Sequence, residues 1–249
     1  MIVYPNAKVN IGLNVLKRRE DRYHEISSIL YPVKNLSDIL EIIPADVLLF
    51  SSSGISIPGE ENICMKAYDL LKADFDIPLV KIHLHKQIPI GAGLGGGSAD
   101  GAFTLIALNR IFDLRLSLDQ LEKYALRLGA DCPFFIENRP KHVTGIGEKM
   151  FPVNLDLSSF ELKFIFPELH ISTAEAYSGI TPQLPMIDLL DLIGQPIESW
   201  KRNIKNDFEI PAFTKYPKLK VMKEQLYADG AIYASMSGSG SVLYGIFSL

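Results

Sequence analysis

The chain has 249 residues, 47% of them hydrophobic and 22% charged, with a net charge of −4, and its sequence pI is about 5.8. That composition suits one large globular domain or two modest ones, and no run of lysine and arginine is long enough for a nucleic-acid groove. Two cysteines, Cys64 and Cys132, exclude a disulfide framework and a cysteine zinc site. No apolar run has the length of a signal peptide or a membrane span. The expectation is a protein of the reducing cytoplasm that engages neither nucleic acid nor membrane.

Ile2 to Tyr4, Lys8 to Leu16, Ile26 to Val33 and Asp38 to Ile43 alternate or are rich in β-branched residues, and they predict a strand meander. Asp21-Arg22 marks a turn before Tyr23-His24. Val47 to Phe50 and Ile55 to Ile57, with Ser51 to Gly54 between them, predict a hairpin. Asn62 to Phe75 carries Ile63, Ala67, Leu70 and Leu71 at helical spacing behind an asparagine N-cap, and Leu79 to His85 returns to alternation. Ser98 to Phe112 and Ser117 to Leu128 predict helices, each with a serine cap, the second stopped by Gly129. Strand and turn follow over His142 to Val153, and Phe151 to Asn154 is the expected boundary between domains 1–152 and 153–249. Beyond it come a strand at Leu162 to Phe166 and helices from Ser172, around Ile187 to Ile193, Ile197 to Arg202 and Pro217 to Asp229. Strands at Ala231 to Ser235 and Val242 to Phe247 complete an irregular mixture, which argues for α+β rather than regular α/β alternation.

Pro89-Ile90-Gly91-Ala92-Gly93-Leu94-Gly95-Gly96-Gly97-Ser98-Ala99-Asp100 places five glycines within seven positions, between a strand and a helix. Glycine permits close backbone approach, and a helix start offers unpaired amides at the positive end of its dipole, so this order suits a phosphate. Gly91-x-Gly93-x-x-Gly96 satisfies the dinucleotide fingerprint, but the acidic strand end that such a site wants about twenty residues on is missing. No lysine followed by serine or threonine closes a P-loop, and the His-Arg-Asp and Asp-Phe-Gly of a protein kinase are absent from the sequence. A turn that merely lets strand and helix pack closely is the plain alternative, and the entropic cost of so many glycines argues against it. Ser237-Gly238-Ser239-Gly240-Ser241 reads either as a second backbone nest or as a hairpin turn. His83 and His85 share a strand face at a spacing compatible with metal, but without a third ligand no metal site is assigned. By themselves Asp131 reads as a turn aspartate and Lys8 as a strand lysine.

The glycine stretch closely resembles the ATP loop of the galactokinase, homoserine, mevalonate and phosphomevalonate kinase superfamily. Ala7-Lys8-Val9-Asn10-Ile11-Gly12-Leu13 resembles that superfamily's first motif and Met236 to Ser241 its third, in the same order and across nearly the whole chain. Asp21-Arg22-Tyr23-His24-Glu25, Gly129-Ala130-Asp131-Cys132-Pro133-Phe134-Phe135, Gly145-Ile146-Gly147-Glu148 and Ser172-Thr173-Ala174-Glu175-Ala176-Tyr177 are similar to the branch acting on 4-diphosphocytidyl-2-C-methyl-D-erythritol in the non-mevalonate isoprenoid route.

This resemblance implies an α+β, two-domain small-molecule kinase with an N-terminal ribosomal-protein-S5-like domain and a C-terminal ferredoxin-like α/β sandwich, a monomer or weak dimer. It implies transfer of the ATP γ-phosphoryl group, with Mg2+, to the 2-hydroxyl of the methylerythritol moiety. Asp131 is then the base, with Lys8 beside it. ATP lies along Pro89, Ile90, Gly91, Ala92, Gly93, Leu94, Gly95, Gly96, Gly97, Ser98 and Ala99, flanked by Asn62 and Lys86, and the substrate meets Asn10, Tyr23, His24 and Tyr177. Asn62 and Lys86 read equally as an N-cap and a solvated lysine. Ala99, Gly101 and Cys132 depart from the family's pattern, and Gln183 to Ser199 matches nothing in it. Tyr23-His24 separates this reading from sister kinases of homoserine or mevalonate, whose substrates carry no base. Intact Lys8 and Asp131 separate it from a nucleotide sensor without catalysis.

Overall fold

Alternation in the opening residues becomes four strands in the computed structural model, which describes residues 1–59 and 62–249. They are β1 (Ile2–Val3), β2 (Asn6–Arg18), β3 (His24–Ser37) and β4 (Ile39–Pro44). The predicted hairpin is not formed. A single strand, β5 (Leu49–Gly54), runs through the expected turn and pairs in parallel with β6 (Val80–Lys86), from Leu49 opposite Lys81 to Gly54 opposite Lys86. The serines that looked like turn residues have strand work instead: Ser51 and Ser53 hydrogen-bond the His83 imidazole, and Ser53 also meets His85. Between these strands lies α1 (Ile63–Asp74), and after β6 come α2 (Gly96–Ile111), α3 (Leu118–Leu128) and the short α4 (Phe134–Glu137).

The chain continues through β7 (Lys141–Gly145), β8 (Lys149–Pro152) and β9 (Phe160–Ile165) to α5 (Thr173–Ser178) and α6 (Leu189–Ile193). A 3-10 turn at Ile197–Ser199 leads into α7 (Trp200–Asn203), then α8 (Glu209–Lys215), α9 (Pro217–Ala228), β10 (Tyr233–Met236) and β11 (Leu243–Ser248). Helix α8, which no sequence expectation covered, carries Pro211 near its start. The proline falls in the first turn of the helix, where its missing N–H has no helical partner to lose.

Two compact units divide this chain, and each is discontinuous. One comprises Met1–Lys8, Pro32–Ile90 and Gly95–Arg139, the other Val9–Tyr31, Gly91–Leu94 and Pro140–Leu249, so the units interleave along the sequence. In the first, the sheet runs β1-β4-β6-β5, with Leu40, Ile42, Ile82 and Leu84 buried. Helix α1 packs on α2, and α2 on β4. At the helix crossing Gly101 has a reason to lack a side chain, since a Cβ there would lie 2.9 Å from Ile63 Cγ1. The α3 N-terminus carries a capping box between Ser117 and Gln120.

The second unit holds most of the sheet β2-β3-β7-β8 and all of the sheet β10-β11-β9. Its core gathers Leu13, Val15, Ile26, Ile171, Phe208, Ala234, Met236 and Leu243, and α9 lies against β10 and β11. Helices segregated onto sheets in this way make the fold α+β, as expected. Among the described residues no helix is long and apolar enough to cross a membrane.

Candidate active site

The glycine loop leaves β6 after Lys86 and enters α2 at Gly96. Gly91, Gly93 and Gly95 all take positive φ, at 68°, 78° and 69°, a region that other residues enter only with strain. Gly95 is the N-cap of α2 and supplies no side-chain hydrogen bond, so the amides of the first turn receive no capping acceptor from it. Ser98 is therefore not the cap that its type predicts. The helix starts two residues earlier because Gly95 makes the left-handed turn into it, and Ser98 falls on the first turn. Above Gly97 the space is open, since among the described residues a Cβ there would meet nothing within 4 Å.

Beneath the loop in the same unit lies Lys8. A Cβ on Gly95 would stand 3.0 Å from Lys8 Cγ and 3.2 Å from Lys8 Cε, so only glycine lets the loop rest on the lysine stem. The Lys8 ammonium is 3.8 Å from an Asp131 carboxylate oxygen, with side-chain exposures of 5% and 40%. Burial lowers the Lys8 pKa, and the Asp131 charge opposes that fall. Asp131 sits in the tight turn between α3 and α4, where Cys132 N–H donates to the Gly129 carbonyl and Phe134 N–H to the Asp131 carbonyl. Fully buried Phe134 and Phe135 anchor this turn and leave the carboxylate half in water. Burial pushes the Cys132 thiol up to about 12, against a hydrogen bond with Ser98. The structure thus brings Lys8, Asp131 and the Gly95 turn to one place.

Asn62 is an N-cap, its Oδ1 accepting from Cys64 N–H at 2.8 Å. Lys86 is not solvated: its ammonium is buried between Asp38 at 2.5 Å and Asp100 at 2.8 Å. Asp38 gave no signal in the sequence, being one acid at a strand junction.

In the second unit, Gly93 lies so close to the third motif that a Cβ would stand 2.0 Å from the Ser237 carbonyl oxygen. The Ser237 hydroxyl donates to the Gly93 carbonyl at 2.8 Å, and Asn10 N–H donates to that hydroxyl at 3.3 Å. Asn206, also missed from sequence, donates from Nδ2 to the carbonyls of Met236 and Gly238, both at 2.8 Å. The Asn10 side-chain amide donates to Ser28 Oγ at 2.8 Å. The His24 and Tyr177 rings stack, with centroids 4.7 Å apart and planes 15° from parallel, and Phe208 meets Tyr177 edge-on. Burial and the neighbouring Arg18 lower the His24 pKa, which favours a neutral imidazole. Tyr23 is 61% exposed.

Comparison with known proteins places these features in a family. Residues 62–139 match the N-terminal domain of GHMP kinases and residues 186–249 match their C-terminal domain. A 4-diphosphocytidyl-2-C-methyl-D-erythritol kinase of Azobacteroides pseudotrichonymphae is 49% identical, covering 99% of this chain and 93% of the relative. The kinase of that name from Bacteroides fragilis is 46% identical over 100% and 92% of the two chains. A crystal structure of 4-(cytidine 5'-diphospho)-2C-methyl-D-erythritol kinase superposes with a TM-score of 0.82 at 34% identity, covering 99% of this chain and 90% of that one. A mevalonate kinase structure shares the fold, with a TM-score of 0.72 at 14% identity over 100% and 91% of the chains. Both domain matches and the full-length relatives agree, and the chain belongs to the GHMP kinases, a family of small-molecule kinases, within its 4-diphosphocytidyl-2-C-methyl-D-erythritol kinase branch.

Proposed function

We propose that this chain transfers the γ-phosphoryl group of ATP to the 2-hydroxyl of 4-diphosphocytidyl-2-C-methyl-D-erythritol, in the cytoplasm and within the non-mevalonate route to isoprenoid precursors. The observation that carries the mechanism is the Lys8–Asp131 pair at 3.8 Å beside the Gly95 turn. A tertiary hydroxyl is a weak acid, so a positioned carboxylate that takes its proton late in the transfer contributes about 10²–10⁴-fold in rate. Asp131 has the exposure to reach an incoming hydroxyl. The Lys8 ammonium beside it offsets charge on the migrating group.

The loop fits the phosphates of a nucleotide. Its first-turn amides lack a side-chain cap, and the space over Gly97 is open among the described residues. We assign Pro89 to Ala99 to ATP, with Asn62 at the start of α1 flanking it. Mg2+ supplies charge neutralisation on the phosphates when bound, and the Ser98 hydroxyl on the first turn of α2 is an oxygen donor of the kind it takes. Asn10 binds the methylerythritol moiety, and Tyr23, His24 and Tyr177 take the cytosine, as aromatic faces and a neutral imidazole suit a base. Residues 1–152 then carry ATP binding and catalysis, and residues 153–249 contribute to the substrate site. The working form is a monomer or weak dimer, with no nucleic-acid or membrane partner.

The test is ADP release measured with the cytidylated substrate, homoserine and mevalonate in parallel. Turnover with the first alone is expected. Turnover with either of the others at a comparable rate would defeat the assignment of Tyr23 and His24.

A further inference from the structure

Lys86 is the one buried lysine beneath the loop whose role the chemistry above does not use. Its ammonium lies between Asp38 Oδ2 and Asp100 Oδ2, and the three side chains are 3%, 0% and 2% exposed. The other Asp38 oxygen accepts the backbone N–H groups of Gln87 at 2.6 Å and Ile88 at 2.9 Å, the residues that lead into the glycine loop. Asp100 stands at the other end, in the second turn of α2. Between the two anchors, a Cβ on Gly96 would stand 3.0 Å from Lys86 Nζ and 2.8 Å from Ile88 Cγ2. The ammonium therefore sits directly under the first residue of α2. Among the described residues, Asp100 Oδ1 is buried with no hydrogen-bond partner.

We propose that Asp38, Lys86 and Asp100 form a positioning cluster that clamps both ends of the glycine loop, so that Lys86 supports ATP binding from below and does not contact the nucleotide. This inference rests on the reading of the loop as the ATP site. An unclamped loop of glycines would lose conformational entropy on binding, and fixing it beforehand removes that cost. The groups facing Asp100 are Lys86 from β6, Asp38 from the junction of β3 and β4, and Cys64 from α1. Cys64 is a thiol pushed up to about 12 and hence neutral. Burial pushes the Asp100 carboxyl up to about 8, with Lys86 opposing and Asp38 adding to the rise.

The experiment is calorimetric titration of the full-length protein with ATP and Mg2+ at pH 7, with parallel steady-state kinetics. Asp38→Asn is expected to weaken ATP binding and raise its KM about tenfold with kcat little changed, because it frees the start of the loop. Wild-type ATP affinity in folded Asp38→Asn would overturn the clamp while leaving the ATP site standing. Wild type that binds no ATP would overturn the ATP reading and the clamp with it.

Discussion

Two lysines flank the same loop in the same unit, and their carboxylate partners hold them differently. Lys86 is locked between two acids at 2.5 and 2.8 Å, all three almost free of solvent. Lys8 meets Asp131 at a looser 3.8 Å, and that carboxylate is 40% exposed. A buried cluster without slack cannot exchange a proton with substrate, and its charges are costly to unpair. A half-solvated pair keeps one oxygen reachable and loses little when a ligand displaces water. On the proposed reading, this difference in access, rather than the residue types, separates a cluster that holds the loop from a pair that works on the substrate.

The largest effect that would break this comparison concerns the exposed acid. Asp131→Asn is expected to lower kcat by about 10²–10⁴-fold while ATP titrates as in wild type, since the loop amides are untouched. Retained turnover would remove Asp131 from the base role and leave the two lysine pairs functionally alike.

Stability should reverse the ranking. Lys86→Met leaves Asp38 and Asp100 buried without their cation, and urea unfolding is expected to show a loss of about 3–5 kcal/mol. Lys8→Met leaves Asp131 its water, so a change within about 1 kcal/mol is expected. The same buried cluster gives a sign in pH. Asp100 titrates near 8 when folded and near 3.8 when unfolded, so between those values the folded state holds the extra proton. Stability from this group is full below the unfolded value and is lost as pH rises toward 8. Asp100→Asn is expected to remove that slope.

Much of this site was legible in the sequence, and the missing parts share a cause. The glycines announce themselves in one short motif, and Lys8 and Asp131 become readable as site candidates only in register with it. Lys86 read as either a neighbour of ATP or a solvated lysine, because its burial is decided by Asp38 and Asp100, 48 and 14 residues away. Asn206 is similar: its amide serves carbonyls 30 and 32 residues on, which no local pattern records. The error at Ser51 and Ser53 has the same origin, since a serine is a turn residue by propensity and a strand residue when a histidine waits on the paired strand. Gly101 departs from the family's pattern for a reason visible only once α1 lies against α2.

The smallest expected effect sharpens the comparison from outside, because it should leave both lysine pairs silent. His24 and Tyr177 stack directly at 4.7 Å, and the lowered His24 pKa favours a neutral ring. A cytosine that stacks on this pair gains dispersion without meeting a charge. Base stacking on an aromatic side chain is worth about 1–3 kcal/mol, so His24→Ala is expected to raise KM for the cytidylated substrate by about tenfold. ATP affinity should stay as in wild type, since no phosphate contact changes. Equal weakening of ATP and of the cytidylated substrate would place His24 in the scaffold rather than at the base. The ring pair and the charge pairs would then no longer divide substrate selection from phosphoryl transfer.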